Sequence, residues 1–154
     1  MNIWRIHLKT EAKPGFDVPD FCIKKGIVGI GWRVDDMGKP QSPEEYEKWA
    51  ESKYKDPGWR RAANAMAKME IDDIIWTRDN SGNYYVGRIT SDWEYLGSEN
   101  YDIGSIRKCE WYEVGKIEKV AGDIANNFIP PAAIQPVNSD AVEKFSKIIY
   151  NKRK

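Results

Sequence analysis

The chain has 154 residues, enough for one domain (1–154) with its own core and no need of disulfides or metal ions. Its 24 basic residues balance 24 acidic ones, which argues against a strong nonspecific nucleic-acid binder but allows a local basic patch. Two cysteines without metal-ligand spacing and a single histidine argue against a zinc site. We therefore expect no metal and no cofactor.

The chain opens with a segment, 4–9, in which apolar and polar side chains alternate. This period of two predicts a half-buried β-strand. The N-terminus contains no long apolar run, so we expect neither a signal peptide nor a membrane span, and a cytoplasmic protein.

A loop rich in proline, glycine and aspartate is predicted over 12–20, followed by a second strand over 27–32. Gly29 and Gly31 fall on one face of that strand. Glycines at such spacing indicate that backbone, side chain or ligand lies close against the face.

Two helices are predicted next. Ser42, Pro43 and Glu45 form a helix start, with a capping serine, proline at the first position and glutamate three residues after the cap. The segment 56–58 breaks the chain, and apolar residues at helical spacing over 59–69 predict the second helix. Trp49 and Trp59 are predicted core residues.

The second half of the chain is predicted to form several strands followed by one helix. Strands are predicted over 73–78, 84–90 and 105–114, with a hairpin turn at 79–83. The proline-rich segment 130–137 is predicted to be an edge strand, and Asp140 with Glu143 to begin a final helix. This order predicts an α+β domain around a curved or barrel-like, mainly antiparallel sheet flanked by helices, and fits a parallel α/β fold poorly.

Four short motifs carry a family resemblance: 26–32, 72–79, 85–91 with Trp93, and 109–112. Together they resemble the EVE/YTH branch of the PUA-like superfamily, particularly the EVE-like modules of modification-dependent restriction systems in prokaryotes. The similarity in order extends over about 2–137. It implies a PUA-like fold.

The resemblance also implies a base-binding site. YTH domains hold a flipped, modified base between aromatic walls, and the two wall tryptophans match Trp32 and Trp93. An indole at a strand end can stack on a base, with about 1–3 kcal/mol per base. The resemblance implies that the base is N6-methyladenine or a modified cytosine, and we expect DNA in preference to RNA as the partner. Where YTH domains have a small polar residue after the first tryptophan, this chain has Arg33, which leaves the identity of the base open.

Further contacts with the base and with phosphates are predicted from the positions of residues near these motifs and strands. The remaining predicted base contacts are Trp76, Asp79, Ser91, Asp92 and Asp20, and the predicted phosphate contacts are Lys24, Lys25, Arg33, Arg78 and Arg88. Several have a structural alternative: Trp76 in the core, Asp79 and Asp20 as turn or cap residues, Arg78 and Arg88 paired across the sheet, and the two lysines as solvated surface.

Three function classes stay open. A non-catalytic reader that targets a nuclease or translocase of a restriction or defence system is the main expectation. An ASCH-like hydrolase acting on a modified nucleoside would use Lys24 or Lys25 with Thr90 and Glu94. A protein-interaction module would use the many aromatic side chains as a partner surface.

Overall fold

The computed structural model describes residues 1–153, with side chains for 1–151. The fold is α+β, with a strongly curled, half-barrel sheet flanked by helices. The strands are β1 (Ile3–Ile6), β2 (Ile27–Gly29), β3 (Ile74–Arg78), β4 (Tyr84–Ile89), β5 (Glu94–Ser98), β6 (Ile103–Gly115) and β7 (Ile134–Pro136). The helices are α1 (Val18–Lys25), α2 (Pro43–Lys53), α3 (Trp59–Lys68), α4 (Gly122–Asn126) and α5 (Asp140–Arg153).

The sheet is mainly antiparallel, as predicted. Its strands follow the order β2-β6-β4-β3-β1-β7, with β5 paired to β6. β6, at 13 residues, pairs with β2, β4 and β5 and thereby connects the two halves of the sheet. β1 and β3 are parallel, so these two strands end at the same edge. The segment 130–137 contains β7, which lies at the edge of the sheet as expected.

Both faces of the central strands are covered, which corrects the prediction for the first strand. All four residues of β1 are buried, and Arg5 is 0% exposed instead of facing solvent. Ile6 and Ile75 belong to one core cluster, whereas Ile3 and Trp76 belong to a second cluster that includes Phe128 of the segment after α4 and residues of α5. The second cluster covers the face that a half-buried strand would leave in water.

The predicted helix pair is confirmed. Ser42 Oγ accepts a hydrogen bond from the backbone nitrogen of Glu45 at 3.1 Å and caps α2. Trp59, at 1% exposure, is in the core at the start of α3, whereas Trp49 is only half-buried.

Three elements were not predicted: α1, α4 and β5. The predicted loop 12–20 ends early, because Asp17 caps α1 by accepting from the backbone nitrogen of Asp20 at 3.0 Å. Gly26, with φ 72°, ends the helix in the left-handed conformation. The final helix begins as predicted at Asp140, but the cap is Ser139, whose hydroxyl accepts from the backbone nitrogen of Val142 at 3.2 Å.

The second strand ends at Gly29, three residues before its predicted end, but the close approach predicted at Gly29 and Gly31 is present. A Cβ at Gly29 would lie 2.6 Å from Cγ2 of Ile103, and one at Gly31 would lie 3.0 Å from a carboxylate oxygen of Asp102. The start of β6 therefore occupies the space beside β2. Among the described residues, no helix is both long and apolar enough to cross a membrane.

Candidate binding site around Trp32

Trp32 has an unusual backbone conformation, which neighbouring side chains stabilise. Its φ of 52° lies in the left-handed region, which bulky residues rarely adopt without support from their surroundings. Tyr46 of α2 donates its hydroxyl to the carbonyl of Trp32 at 2.8 Å, and Tyr54 donates to the carbonyl of Arg33 at 2.6 Å. The backbone nitrogen of Val34 donates to the hydroxyl of Tyr95 at 2.8 Å. Three tyrosines thus fix the segment that carries the indole.

Two cavities meet at this tryptophan. The first, here called the Tyr54 cavity, has a volume of about 520 Å³ and is lined by residues that include Lys9, Thr10, Glu11, Trp32, Tyr54 and Asp102. The second, here called the Arg78 groove, has a volume of about 810 Å³ and is lined by residues that include His7, Lys9, Trp32, Arg78, Phe128 and Ile129. Both volumes are in the range of small-molecule sites in proteins. Lys9 and Trp32 belong to both linings.

The walls of the Tyr54 cavity are polar and held in place. Asp102 has a φ of 52°, and its carboxylate accepts from Nε of Arg33 at 3.0 Å and from the backbone nitrogen of Glu11 at 3.2 Å. The hydroxyl of Thr10 donates to the carbonyl of Tyr101. Oriented hydrogen-bonding groups next to an indole are the features that recognise the edge of a stacked base.

The Arg78 groove has a net positive charge, because Lys9 and Arg78 outnumber the one carboxylate in its lining, that of Asp79. Among the described residues, neither Lys9 nor Arg78 takes part in an ion pair. The pKa of His7 is lowered, first by burial and further by the positive charges of Arg5, Arg78 and Lys9, against the raising effect of its hydrogen bond to Pro130. Unpaired cations beside a half-buried imidazole suit an anionic ligand.

Trp93, the second predicted wall, packs near Tyr46 and Tyr95. Its ring centroid is 6.3 Å from that of Tyr46 and 6.4 Å from that of Tyr95. It lines neither the Tyr54 cavity nor the Arg78 groove. The structure therefore links Trp32 and Trp93 through Tyr46, and the aromatic side chain that shares a cavity with Trp32 is Tyr54, which the sequence did not single out.

Trp76 is removed from the set of base contacts. It is 1% exposed, its indole nitrogen donates to Oγ of Ser146 at 2.8 Å, and its ring stacks on that of Phe145 with centroids 6.0 Å apart. The structure places Trp76 in the core, which was the structural alternative to a base contact.

The predicted polar contacts mostly have structural partners. Oδ1 of Asp79 accepts from the backbone nitrogens of Ser81 and Asn83, each at 2.9 Å, so this residue holds the hairpin turn although it borders the Arg78 groove. The hydroxyl of Ser91 accepts from the backbone nitrogen of Lys108 at 2.8 Å.

Two further predicted polar contacts lie at the surface. Asp92 is exposed, and Asp20, in the first turn of α1, forms an ion pair with Lys24 at 3.0 Å. Of the five residues predicted to contact the base besides the two wall tryptophans, only Asp79 borders a cavity that Trp32 lines.

Of the predicted phosphate contacts, one lies in the groove. That residue is Arg78, at the end of β3. Arg33 pairs with Asp35 and Asp102, and Arg88 pairs with Asp72 and Glu110. Lys24 pairs with Asp20, and Nζ of Lys25 lies 5.9 Å from the ring centroid of Phe21.

Sequence reasoning missed His7 and Lys9 as site residues. They follow β1, whose register pairs Arg5 with Trp76 in parallel, so the chain beyond β1 comes alongside Arg78. The parallel pairing of β1 with β3 brings these cations together, and the predicted mainly antiparallel sheet did not assign this pair.

The residues of the hydrolase alternative do not form one connected cluster of side chains. Lys24 pairs with Asp20, and Glu94 lies 4.0 Å from Nζ of Lys108. Within residues 1–151 no hydrogen bond or ion pair connects Lys24 or Lys25 to Thr90 or Glu94. No group of three or more histidine, cysteine, aspartate or glutamate side chains in the described part of the chain is placed to hold a metal ion.

Comparisons with known proteins give a family and a structural likeness. The protein Atu2648 from Agrobacterium tumefaciens has a similar solved structure, with a TM-score of 0.46 and 13% identity over 96% of this chain and 92% of that one. No curated protein matches the chain significantly. The model of a domain of unknown function, DUF8426, matches residues 4–128. The chain therefore belongs to the DUF8426 family.

Proposed function

We propose that the domain is a non-catalytic reader that accommodates a modified base, flipped out of DNA, against Trp32. The observation that carries the proposal is the placement of this indole, held in a left-handed backbone conformation by Tyr46 at the junction of a polar cavity and a cationic groove. In this proposal the fold is of the EVE/YTH type within the PUA-like superfamily.

Each part of the site has a matching part of the ligand. The indole offers a flat apolar face for a base, and stacking on an aromatic side chain contributes about 1–3 kcal/mol. The fixed polar groups of the Tyr54 cavity, Thr10 and Asp102, are suited to the base edge. Lys9 and Arg78 are suited to the phosphates on either side of the flipped nucleotide.

Selectivity for a modified base would come from fit. A difference the size of one methyl group changes binding by only about 1–3 kcal/mol. The reader would therefore prefer a modified base without absolute exclusion of the unmodified one, and a nuclease or translocase effector would supply the rest of the discrimination in a restriction or defence system.

The test is fluorescence-anisotropy binding to matched oligonucleotides. Each would carry adenine, N6-methyladenine, cytosine, 5-methylcytosine or 5-hydroxymethylcytosine, in DNA and in RNA. We expect tighter binding to one modified base in DNA, and a loss of about tenfold or more in Trp32→Ala. Trp49→Ala is the matched control, because Trp49 is also half-buried but lines neither cavity.

The outcomes separate the function classes. Equal binding to all probes, or unchanged binding by Trp32→Ala, would overturn the proposal. If no probe binds, a protein-interaction module becomes the better explanation for the aromatic surface. Trp93→Ala in the same assay shows whether the second tryptophan contributes from its place beside Tyr46.

A further inference from the structure

The segment 127–133 presents an apolar tip to solvent. Ile129 is 78% exposed, the highest value among the exposed large hydrophobic residues of the described chain, and Pro130 and Pro131 beside it are also exposed. Single exposed apolar side chains are common on protein surfaces, so the function of this tip has to be argued from what holds it and what borders it.

This tip is held rigidly from beneath. The guanidinium of Arg5 donates to the carbonyls of Asn127 at 2.7 Å, Pro130 at 3.3 Å, Ala133 at 3.3 Å and also Ala132. Each proline also restricts its own φ. One buried side chain therefore ties four carbonyls of the segment to β1.

Phe128 anchors the segment next to its exposed tip. It is 5% exposed, its ring centroid lies 5.0 Å from the guanidinium carbon of Arg78, and it makes an edge contact with His7 at 5.6 Å. His7 also donates from Nε2 to the carbonyl of Pro130 at 2.9 Å. The isoleucine thus follows directly after a fixed aromatic ring.

The tip borders a cationic surface. Ile129 lines the Arg78 groove together with Lys9, Arg78 and Trp32. A purely apolar protein partner would cover Lys9 and Arg78 without supplying a counter-charge, which is costly. A nucleic-acid duplex supplies both matching features: phosphates for the cations, and an apolar stack of bases for the isoleucine.

We propose that Ile129 enters a base-paired DNA duplex and occupies the space left in the stack by the base that binds at Trp32. The substrate class is then duplex DNA, not a single strand. This inference rests on the proposed reader function and adds to it a residue that opens the duplex. Apolar wedges of this kind partly unstack base steps, and a rigid support lets the wedge enter without folding aside.

The experiment compares single strands with duplexes of the same sequence. The probes are the oligonucleotides with N6-methyladenine, 5-methylcytosine or 5-hydroxymethylcytosine, with 2-aminopurine as the neighbouring base so that unstacking raises its fluorescence. The variant is Ile129→Ala. Ile71→Ala is the matched control, because Ile71 is 50% exposed and precedes β3, whereas Arg78 is at the other end of that strand.

For the wild type and Ile71→Ala we expect duplex binding with a rise in 2-aminopurine fluorescence. For Ile129→Ala we expect duplex affinity to fall about tenfold, with a smaller fluorescence rise, while single-strand affinity changes less than about twofold. Since the side chain is exposed, the thermal melting temperature should not change.

Failure of this inference differs from failure of the reader function. If Ile129→Ala opens and binds the duplex like the wild type, or if the wild type binds only single strands, the wedge is refuted and the reader function stands. If no probe binds in either form, both are refuted. Trp32→Ala should weaken both forms equally.

Discussion

The hydroxyl of Tyr46 donates a hydrogen bond to the main-chain carbonyl of Trp32 over 2.8 Å. Tyr46 is 1% exposed, and burial raises the pKa of its phenol above the usual range, so the hydroxyl stays protonated. This bond connects α2 to the residue whose side chain lines both cavities. The geometry of the site therefore depends on a helix that lines neither cavity with a residue of its own.

Tyr46→Phe should lower both stability and binding. Removal of the hydroxyl leaves the carbonyl of Trp32 without this donor, at a cost of about 1 kcal/mol in the free energy of unfolding measured with urea. DNA affinity should fall as well, because the left-handed conformation of Trp32 loses support. Tyr112→Phe, on β6, is the control. Wild-type affinity in Tyr46→Phe would show that the bond does not position the indole.

Lys9 and Arg78 should account for part of the salt dependence of DNA binding. Each contact between a free cation and a phosphate contributes about 0.9 to the slope of log affinity against log salt for duplex DNA. Lys9→Gln and Arg78→Gln should each reduce the slope by about that amount. Arg88→Gln should not, because Arg88 is already paired with Asp72 and Glu110. Equal slopes for all variants would place the phosphates elsewhere.

Gly29→Ala should destabilise the fold. The new Cβ would lie 2.6 Å from Cγ2 of Ile103, a β-branched core side chain with little room to move. We expect a loss of about 1–3 kcal/mol in the free energy of unfolding. Gly122→Ala is the matched control, since its Cβ would meet nothing within 4 Å and should leave stability the same or slightly higher. An equal loss in both variants would point to backbone flexibility as the cause.

Stability should fall in acid through His7. Its pKa is lower in the folded chain than the ordinary value of 6.5, chiefly because of burial, so below pH 6.5 the unfolded chain binds more protons. The wild type should therefore lose stability relative to His7→Gln as pH falls from about 7.5 to about 5.5, and match its pH dependence above that window. Since His7 is the only histidine, denaturant titrations of the two proteins isolate its effect. Parallel pH profiles throughout would contradict the lowered pKa.

Local signals predicted local structure well. The α2 start follows from Ser42, Pro43 and Glu45, because capping involves residues only a few positions apart. The start of α1 also has a local cap, Asp17, but Pro19 and the surrounding glycine and aspartate are equally typical of a loop. The same residue types serve both structures, and the loop was the wrong choice.

Long-range contacts could not be predicted in this way. Arg5 is buried because carbonyls from 127–133 bind it, more than a hundred positions along the chain. The positive φ of Trp32 depends on tyrosines in α2 and β5. Trp32 was predicted as a wall of the site from its place at the end of the strand expected over 27–32, whereas Lys9 and Tyr54, which line a cavity with it, required the three-dimensional arrangement.

The two linings that share Lys9 and Trp32 have a thermodynamic consequence. A ligand that fills one cavity fixes the rotamers of side chains that also line the other cavity. The free energies of binding in the two cavities are therefore coupled. In the proposed reader, a free nucleoside carries no flanking phosphates for Lys9 and Arg78, so it gains only the contacts of the base. It should therefore be a poor competitor, and the nucleotide with its flanking backbone should be recognised as a single unit.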